Sequence, residues 1–241
     1  PYAGYIYSTI QLITTYNGPL MNIRRSSDNA TNNIYFDGSV YRLSSDSSLY
    51  TAWIGSDTAY VTTWYSQSIS INAVQSNVSL QPLFNYTTRV INFNPNLFLY
   101  LSGTVFNRAS NYTIMVKHGA SSSVTGCMAG AGPISANQGL ALYKYLSTTY
   151  LAVSGSNDLQ STSSYQIGAT IGCSYDGTNR NIWFNGSLDK SAPYGARSGL
   201  TSVIAIGGAD GTNGTSSMAY FNGDLLNVCI YATTALSASD I

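Results

Sequence analysis

The chain of 241 residues contains no glutamate, so its ten aspartates are the whole supply of side-chain carboxylates. Ten lysines and arginines balance them, the formal net charge is zero, and charged residues make up only 8% of the sequence. Nucleic acids and anionic membrane surfaces attract proteins through an excess of positive charge. The sparse and balanced charge therefore argues against nucleic acid or an anionic membrane as a partner.

No apolar run approaches the roughly 20 residues that a membrane-spanning helix needs, so we expect no membrane insertion. Hydrophobic residues nevertheless make up 44% of the chain and aromatic residues 12%, which is enough for a full core. Tyrosine occurs twenty times, and the polar remainder is rich in Ser, Thr, Asn and Gly. Tyrosine and threonine favour strands, whereas asparagine and glycine favour turns. Since no linker divides the sequence, we predict one all-β domain over residues 1–241.

Cysteine and histidine are also scarce, which limits the available chemistry. Cys127, Cys173 and Cys229 cannot all pair, and each has the strand-like context of a buried thiol, although one pair could be bridged. His118 is the single histidine. A Ser/His/Asp triad would need a nucleophile motif near it, and a zinc site needs three or four ligands. We interpret His118 as a structural or solvent-facing imidazole.

Alternation of apolar and polar residues predicts strands throughout the chain. Ile114 and Val116 fall on one face of a predicted strand, and Thr113 falls on the other. Residues 226–231 alternate in the same way, beginning with Leu226 on the apolar face.

One segment has the features of a helix start. Asp46 or Ser47 could act as the N-cap, and Leu49, Ala52 and Trp53 follow at helical spacing.

A series of motifs fills the C-terminal part of the chain. YDGTNRNIWFNG at 175–186 is followed by IAIGG at 204–208, YFNGDLLNVCIY at 220–231 and ALSASDI at 235–241. In order and spacing this series resembles the C-terminal half of laminin-G-like and concanavalin-A-like domains. The glycines would supply turn positions, and the alternating apolar residues would form the inner faces of two sheets. The resemblance implies an all-β, concanavalin A-like jelly-roll β-sandwich of two antiparallel sheets.

The N-terminal half carries two further motifs. TTYNGPLMNIRRSSDN at 14–29 and YVTTWYSQS at 60–68 resemble the opening of the catalytic domain of family-54 arabinofuranosidases. The same motifs resemble domains of phage and giant-virus structural proteins, and VKHG at 116–119 is closer to the viral versions. Together these resemblances cover nearly the whole chain.

The likeness to family 54 implies a retaining hydrolase with a Glu nucleophile in a central segment and an Asp acid. The corresponding region, roughly 119–150, has no carboxylate, and no acidic residue occurs between Asp57 and Asp158. Ser66 also stands where the family's WYDQS motif has Asp. Retaining hydrolysis needs two carboxyl groups about 5 Å apart, so we predict that the chain is not an enzyme. A cleft that held two aspartates, far apart in sequence, at catalytic separation would instead favour a glycoside hydrolase.

The two N-terminal motifs supply the candidate residues for binding a carbohydrate or a protein partner. Exposed aromatic rings can stack on sugars, and arginine can bind carboxylates and hydroxyls. In the alternative interpretation, an arginine and an aspartate form a bidentate structural pair, and one of the adjacent aromatics lies in the core. These candidates are Arg24, Arg25, Asp28, Trp64, Tyr65 and Gln67.

Calcium is the one cofactor that the sequence leaves open. The laminin-G-like resemblance implies a site at the rim of the sandwich, built from an aspartate and backbone carbonyls. Asp176, Asp210 and Asp224 offer hard oxygen ligands on predicted loops. The alternative is that these short side chains form turns.

We therefore predict a non-catalytic surface module of a virion or extracellular assembly, with a structural or attachment role and carbohydrate affinity. Its partners would be glycans or other coat or fibre chains, including copies of itself. An arabinofuranosidase-like glycoside hydrolase and a secreted cellular lectin are the alternatives.

Overall fold

The computed structural model describes residues 4–43, 48–102, 106–107, 109–121, 126–132, 140–145, 149–153, 158–194, 201–210, 217–218, 220–237 and 240. Strands dominate these residues, and one short helix, α1 (Tyr50–Ile54), interrupts them. No helix in this part of the chain is long and apolar enough to cross a membrane.

The strands follow one another at short intervals along the chain. In the first part they are β1 (Tyr5–Ser8), β2 (Met21–Arg25), β3 (Thr31–Phe36), β4 (Tyr41–Leu43), β5 (Ala59–Trp64), β6 (Ala73–Val74), β7 (Leu83–Asn85), β8 (Val90–Phe93), β9 (Leu99–Leu101) and β10 (Phe106–Asn107). In the second part they are β11 (Tyr112–Ser121), β12 (Gly126–Ala131), β13 (Leu140–Tyr145), β14 (Thr149–Val153), β15 (Leu159–Gln160), β16 (Thr170–Tyr175), β17 (Asn179–Phe184), β18 (Ser187–Pro193), β19 (Thr201–Ser202), β20 (Ile204–Ile206), β21 (Ala209–Asp210), β22 (Ser217–Met218) and β23 (Gly223–Tyr231).

Two hydrogen-bonded runs of antiparallel strands make up most of the described structure. The first has the order β18-β17-β16-β11-β23-β8-β7, with β1 also paired to β23. The second has the order β15-β14-β13-β12-β20-β9-β6-β5-β2-β3-β4. The pair Tyr60–Leu83 joins β5 to β7 and so connects the two runs.

The core lies between these two runs. Ile114 and Ile171 of the first run and Ile23 and Met128 of the second are fully buried. All four belong to one cluster of contacting buried residues. Two antiparallel layers that share an apolar core form a β-sandwich, so the predicted all-β sandwich is confirmed.

Strand β23 changes its partner along its length, and this change shifts the alternation of buried and exposed side chains. Residues 227–230 pair with β1, whereas residues 223–225 pair with β8. The register with β11 skips Leu226, which is therefore the extra residue of a β-bulge. Leu225 is fully buried and Leu226 is only half-buried. The prediction that Leu226 lies on the core face is wrong, because the bulge turns Leu225 inward and Asp224 the other way.

The opposite face of β11 is also covered. Thr113 lies on the face that the alternation predicts, yet it is fully buried. Its hydroxyl donates to the carbonyl of Thr234 at 3.1 Å and accepts from the N–H of Leu236 at 2.9 Å. The segment that follows β23 therefore packs over this strand and closes the sandwich on that side.

Helix α1 is present near the predicted position, but a different face is buried. Asp46 and Ser47 lie outside the described residues, and Leu49 occupies the N-cap position without a side-chain hydrogen bond. Tyr50 and Ile54, four residues apart and hence on one face, are the buried pair. The predicted face of Leu49, Ala52 and Trp53 is wrong: Leu49 and Ala52 are exposed and Trp53 is half-buried, because the helix is too short to include Leu49.

None of the three cysteines, all of which the structure describes, forms a disulfide. Cys127 and Cys173 are buried, and Cys229 is half-buried. Burial raises the pKa of the Cys127 thiol well above its usual value and that of Cys229 to about 11. They therefore behave as small apolar side chains.

Candidate functional site

A cleft of about 500 Å³ opens between α1 and the β7–β8 hairpin. Its walls come from four parts of the chain: α1, the start of β5, the hairpin, and Asp224 of β23. Strand β8 brings the hairpin and β23 together because it pairs with both β7 and β23. The cleft is thus a product of long-range strand pairing.

Two carboxylates, Asp57 and Asp224, line this cleft. The side-chain amide of Asn92 donates to Asp224 at 2.7 Å, and the hydroxyl of Ser27 donates to Asp57 at 2.5 Å. Gly119 makes room for Asp224, since a Cβ at position 119 would lie 2.8 Å from the Asp224 Cβ. Both carboxylates are therefore held in place by the protein itself.

The aromatic side of the cleft is built on the β7–β8 turn. Asn85 accepts hydrogen bonds from the N–H groups two and three residues further on, at 3.0 and 3.1 Å, and so folds the turn. Tyr86 is 42% exposed at the tip of this turn. Tyr50 supports it edge to face, with ring centroids 5.7 Å apart, and Phe84 lies behind Tyr50 at 5.9 Å. The supporting rings limit the freedom of Tyr86 before a ligand binds.

Arg25 of β2 contacts α1 and two aspartates in the region beside the cleft. Its guanidinium forms a bidentate pair with Asp28, at 3.1 and 2.6 Å, and donates to the carbonyl of Trp53 at 2.7 Å. The hydrogen bond from Arg25 lowers the pKa of Asp28 to about 2. Arg25 Nε also lies 3.7 Å from Asp57. The bidentate Arg–Asp pair of the structural interpretation is thus present, and it stands next to a cleft carboxylate.

Arg24 points to the other face of β2 and does not line the cleft. Only 9% of the residue is exposed. Its guanidinium donates to Gln81 at 2.7 Å and to Asn29 at 2.8 Å, and it lies 4.4 Å from the centre of the Tyr60 ring. These contacts connect β2 to the neighbouring loops, so Arg24 acts as a structural residue.

Trp64, Tyr65 and Gln67 stand apart from the cleft as well. Trp64 is fully buried, and its indole N–H donates to the carbonyl of Ser8 at 3.0 Å. Tyr65 is half-buried and its hydroxyl donates to Asn33 at 3.0 Å. The division of Trp64 and Tyr65 into a core and a more exposed aromatic agrees with strand alternation.

Gln67 is 3% exposed and holds the N-terminal segment in place. Its side-chain oxygen accepts from the N–H groups of Leu12 and Ile13, at 2.8 and 3.2 Å, and its nitrogen donates to the carbonyl of Ile10 at 2.7 Å. Because buried side chains present no surface to a ligand, Gln67 and Trp64 belong to the fold.

The three aspartates considered for calcium do not form one site. The residue before Asp176 pairs with Tyr112 at the start of β11. The residue after Asp224 pairs with His118, six residues further along the same strand. Six residues of strand separate these levels by roughly 20 Å, so the two carboxylates cannot share an ion. The side chain of Asp210 lies outside the described part of the structure.

Asp176 instead forms the turn between β16 and β17. Its carboxylate accepts from the N–H groups of Thr178 and Asn179 at 2.8 and 2.6 Å, as the alternative interpretation proposed. Among the side chains that the structure describes, no group of three or more His, Cys or Asp residues could hold a metal ion.

His118 is a buried structural imidazole. Its Nδ1 lies 2.9 Å from the carbonyl of Gly119 and its Nε2 lies 2.7 Å from the Tyr150 hydroxyl. Because a carbonyl only accepts, Nδ1 carries the proton and Nε2 accepts from Tyr150. The ring stacks on Tyr165 with centroids 4.9 Å apart. Burial lowers the pKa of His118 and favours this neutral form.

Sequence reasoning missed Tyr86 and Asp57, and it considered Asp224 only for calcium. The available signal was local: Asn85 begins a turn that exposes an aromatic residue at its tip. Nothing in the spacing of Asp57 and Asp224 shows that they meet, because strand pairing across the whole chain brings them to one cleft.

Comparisons with known proteins address the fold. No family model matches the sequence, and no curated protein matches it. Among solved structures, a GH54 α-L-arabinofuranosidase soaked with a cyclic sulfate inhibitor matches the whole chain with a TM-score of 0.72 and 14% identity. An arabinofuranosidase complexed with arabinofuranosyl-α-1,2-xylobiose matches it with a TM-score of 0.71 and 13% identity. A Trypanosoma rangeli sialidase matches 74% of the chain, and 30% of its own length, with a TM-score of 0.50 and 13% identity.

The chain spans 60% of the first of these arabinofuranosidases and 61% of the second. At such low identity the likeness shows a shared β-sandwich fold and carries no residue-level assignment. The expected structural likeness to an arabinofuranosidase domain is confirmed, while the likeness to viral domains stays a prediction.

Proposed function

We propose that this chain is a non-catalytic carbohydrate-binding domain that holds an uncharged glycan in the cleft between α1 and the β7–β8 hairpin. The observation that carries the proposal is an exposed tyrosine ring beside two fixed carboxylates, Tyr86 with Asp57 and Asp224. A sugar ring has an apolar face that can stack on an aromatic ring, and hydroxyl groups that donate to carboxylates. The cleft supplies both kinds of contact.

The charge of the cleft supports an uncharged ligand. Its described lining contains two aspartates and neither lysine nor arginine. The nearest cation to Asp57, Arg25 at 3.7 Å, is already paired with Asp28. A sugar acid would therefore meet like charges in the cleft, and like-charge contacts disfavour binding. We therefore expect neutral sugars to bind better than their acidic counterparts.

The comparisons support a carbohydrate as the ligand class at a coarse level, since the solved structures that match the whole chain include arabinofuranosidases with bound glycosides or inhibitors. The central segment without carboxylates, roughly 119–150, supports binding without hydrolysis. The viral-type motifs extend the proposal to a place on a virion or another extracellular assembly. There, neighbouring coat or fibre chains would be further partners.

A glycan array of the purified domain, followed by calorimetry with each sugar that binds, tests the proposal. Tyr86→Ala should weaken binding by about tenfold or more, because removing an aromatic anchor costs on the order of 1–2 kcal/mol. Asp224→Asn should weaken it as well. Ile167→Ala and Asp240→Asn, which change exposed residues outside the cleft, should bind like the unaltered chain. An array without any bound sugar would refute the proposal and favour a coat or fibre role.

A glycoside hydrolase is the second candidate, because the cleft joins Asp57 and Asp224 from distant parts of the chain. Release of 4-nitrophenol from 4-nitrophenyl α-L-arabinofuranoside tests it. Activity that disappears in both Asp57→Asn and Asp224→Asn would establish hydrolysis and overturn the non-catalytic proposal. A sugar that binds without being cleaved would support it.

A further inference from the structure

A second concave site adjoins the cleft on the other side of Tyr86. This side pocket has a volume of about 270 Å³ and lies between α1, the β3–β4 turn and the β7–β8 turn. Tyr50 and Tyr86 line both the cleft and the side pocket. Tyr50 is buried beneath both sites and Tyr86 is exposed between them, so the two sites are neighbours.

The side pocket differs from the cleft in chemistry. Val40, Leu49 and Tyr86 line it with exposures of 37%, 44% and 42%. The described part of the chain leaves seven large apolar side chains exposed, so nearly half of them gather here. Exposed apolar residues that cluster in a concavity mark a binding surface, whereas scattered ones do not.

Arg89 is the one charged residue in the described lining of the side pocket, and its guanidinium is already engaged by other residues of the chain. Arg89 donates to the carbonyl of Ser39 at 3.2 Å, and its guanidinium lies 5.0 Å from the centre of the Phe36 ring. Arg89 has a left-handed backbone conformation, with φ of 57°, directly before β8. It therefore braces the two turns against each other, and the remaining surface offered to a ligand is mainly apolar.

We infer that the side pocket holds an apolar, ring-sized group attached to the glycan that the cleft binds, so that the preferred ligand is a glycoside with an aromatic aglycone. This inference rests on the proposed carbohydrate binding in the cleft. The exposed ring of Tyr86 lines both sites and gives the continuity: a sugar stacked on one side of Tyr86 directs a substituent to the other. A cavity of about 150 Å³ is enough to bind benzene, so a pocket of about 270 Å³ accommodates a phenyl ring.

Calorimetry with matched glycosides tests the inference. The probes are the methyl, phenyl and octyl glycosides of arabinofuranose, galactose and glucose. For a sugar that binds, the phenyl glycoside should bind at least about tenfold tighter than the methyl glycoside, because the ring leaves water. The octyl glycoside should gain less than the phenyl glycoside, since a flexible chain loses more conformational freedom on binding.

Paired variants separate the side pocket from the cleft. Val40→Ser and Leu49→Ser should reduce the phenyl advantage severalfold and leave methyl glycoside binding unchanged. Val78→Ser and Leu188→Ser are the matched controls, since both residues are exposed and line neither site. Asp224→Asn should weaken the methyl and phenyl glycosides by the same factor, because it changes only the cleft.

The outcomes distinguish the two proposals. If the methyl glycoside binds and the phenyl glycoside gains nothing, the side-pocket inference is wrong while the carbohydrate proposal stands. An octyl glycoside that binds tighter than the phenyl glycoside would also overturn it, in favour of a lipid-like chain. If neither the glycan array nor these glycosides give any binding, both proposals fail together.

Discussion

Gly207, directly after β20 of the second run of strands, tests how that run packs against β8 of the first. Its N–H donates to the carbonyl of Met128 at 2.9 Å, and its carbonyl accepts from the N–H of Phe221 at 3.0 Å. Its φ is +84°, and a Cβ at this position would lie only 2.1 Å from Cδ1 of the buried Phe93 ring. Gly207→Ala therefore combines backbone strain with overpacking.

Gly168 is the matched control, because its φ is +82° and a Cβ at this position would meet nothing within 4 Å. Left-handed strain costs about 1–2 kcal/mol for an alanine, and we expect this for both variants. Overpacking adds about 1–3 kcal/mol at Gly207 alone, for a total of about 2–5 kcal/mol. Urea unfolding measures both free energies of unfolding, and each kcal/mol should lower Tm by about 2–4 °C in a domain of this size.

The close approach to Phe93 is the reason for the difference, so it can be tested directly. In the double variant Phe93→Ala with Gly207→Ala, the alanine at 207 should cost no more than the alanine at 168, since the ring is gone. Equal costs for Gly207→Ala and Gly168→Ala in the otherwise unaltered chain would refute the packing argument.

Four further predictions concern buried polar groups and thiols. Burial lowers the pKa of His118, so the unfolded chain binds its proton at higher pH, and the free energy of unfolding should fall as pH drops below about 6.5. Unfolding at pH 7.5 and 5 measures this, and His118→Gln should show a smaller fall. Trp64→Phe should cost about 1–3 kcal/mol because it removes the bond to Ser8 and leaves a gap. Tyr50→Phe should leave the free energy of unfolding unchanged or raise it by up to about 1–3 kcal/mol, since its buried hydroxyl has no hydrogen-bond partner among the described residues; a loss as large as that of Trp64→Phe would contradict this. Cys127 and Cys173 should resist a thiol reagent at pH 8 until the chain unfolds, and rapid labelling of the folded protein would contradict their burial.

The fold was predictable where local pattern and tertiary structure agree. Ile114 and Val116 point into the core as the alternation predicts. The bidentate pair of Arg25 with Asp28 was also within reach, because the two residues lie three positions apart. Leu226 was misplaced because a bulge depends on which strands lie on either side, and a single-strand pattern does not contain that information.

The candidate site was predictable only in fragments. Asp224 was selected for calcium, and its actual neighbour Asn92 lies 132 residues away in the chain. Tyr86 is one of twenty tyrosines, and only the pairing of β8 with β23 shows that it faces this aspartate's cleft. Residues chosen from motifs, such as Trp64 and Gln67, proved to be buried. A motif that occurs in domains of different activity is shared because those domains have the same fold, so its residues tend to stabilise the fold.

The extra residue at Leu226 divides β23 into two halves that both pair with β11 but have different partners on the other side. Residues 227–230 keep register with β1, while residues 223–225 bond to β8, the strand that carries the cleft hairpin. Because the bulge absorbs a mismatch between these halves, changes in the hairpin need not disturb the pairing that holds the core. Under the proposed glycan binding, related chains would acquire new ligands by gaining or losing residues around Tyr86 on an unaltered sandwich. Variation in length, more than substitution, is where we expect specificity to diverge.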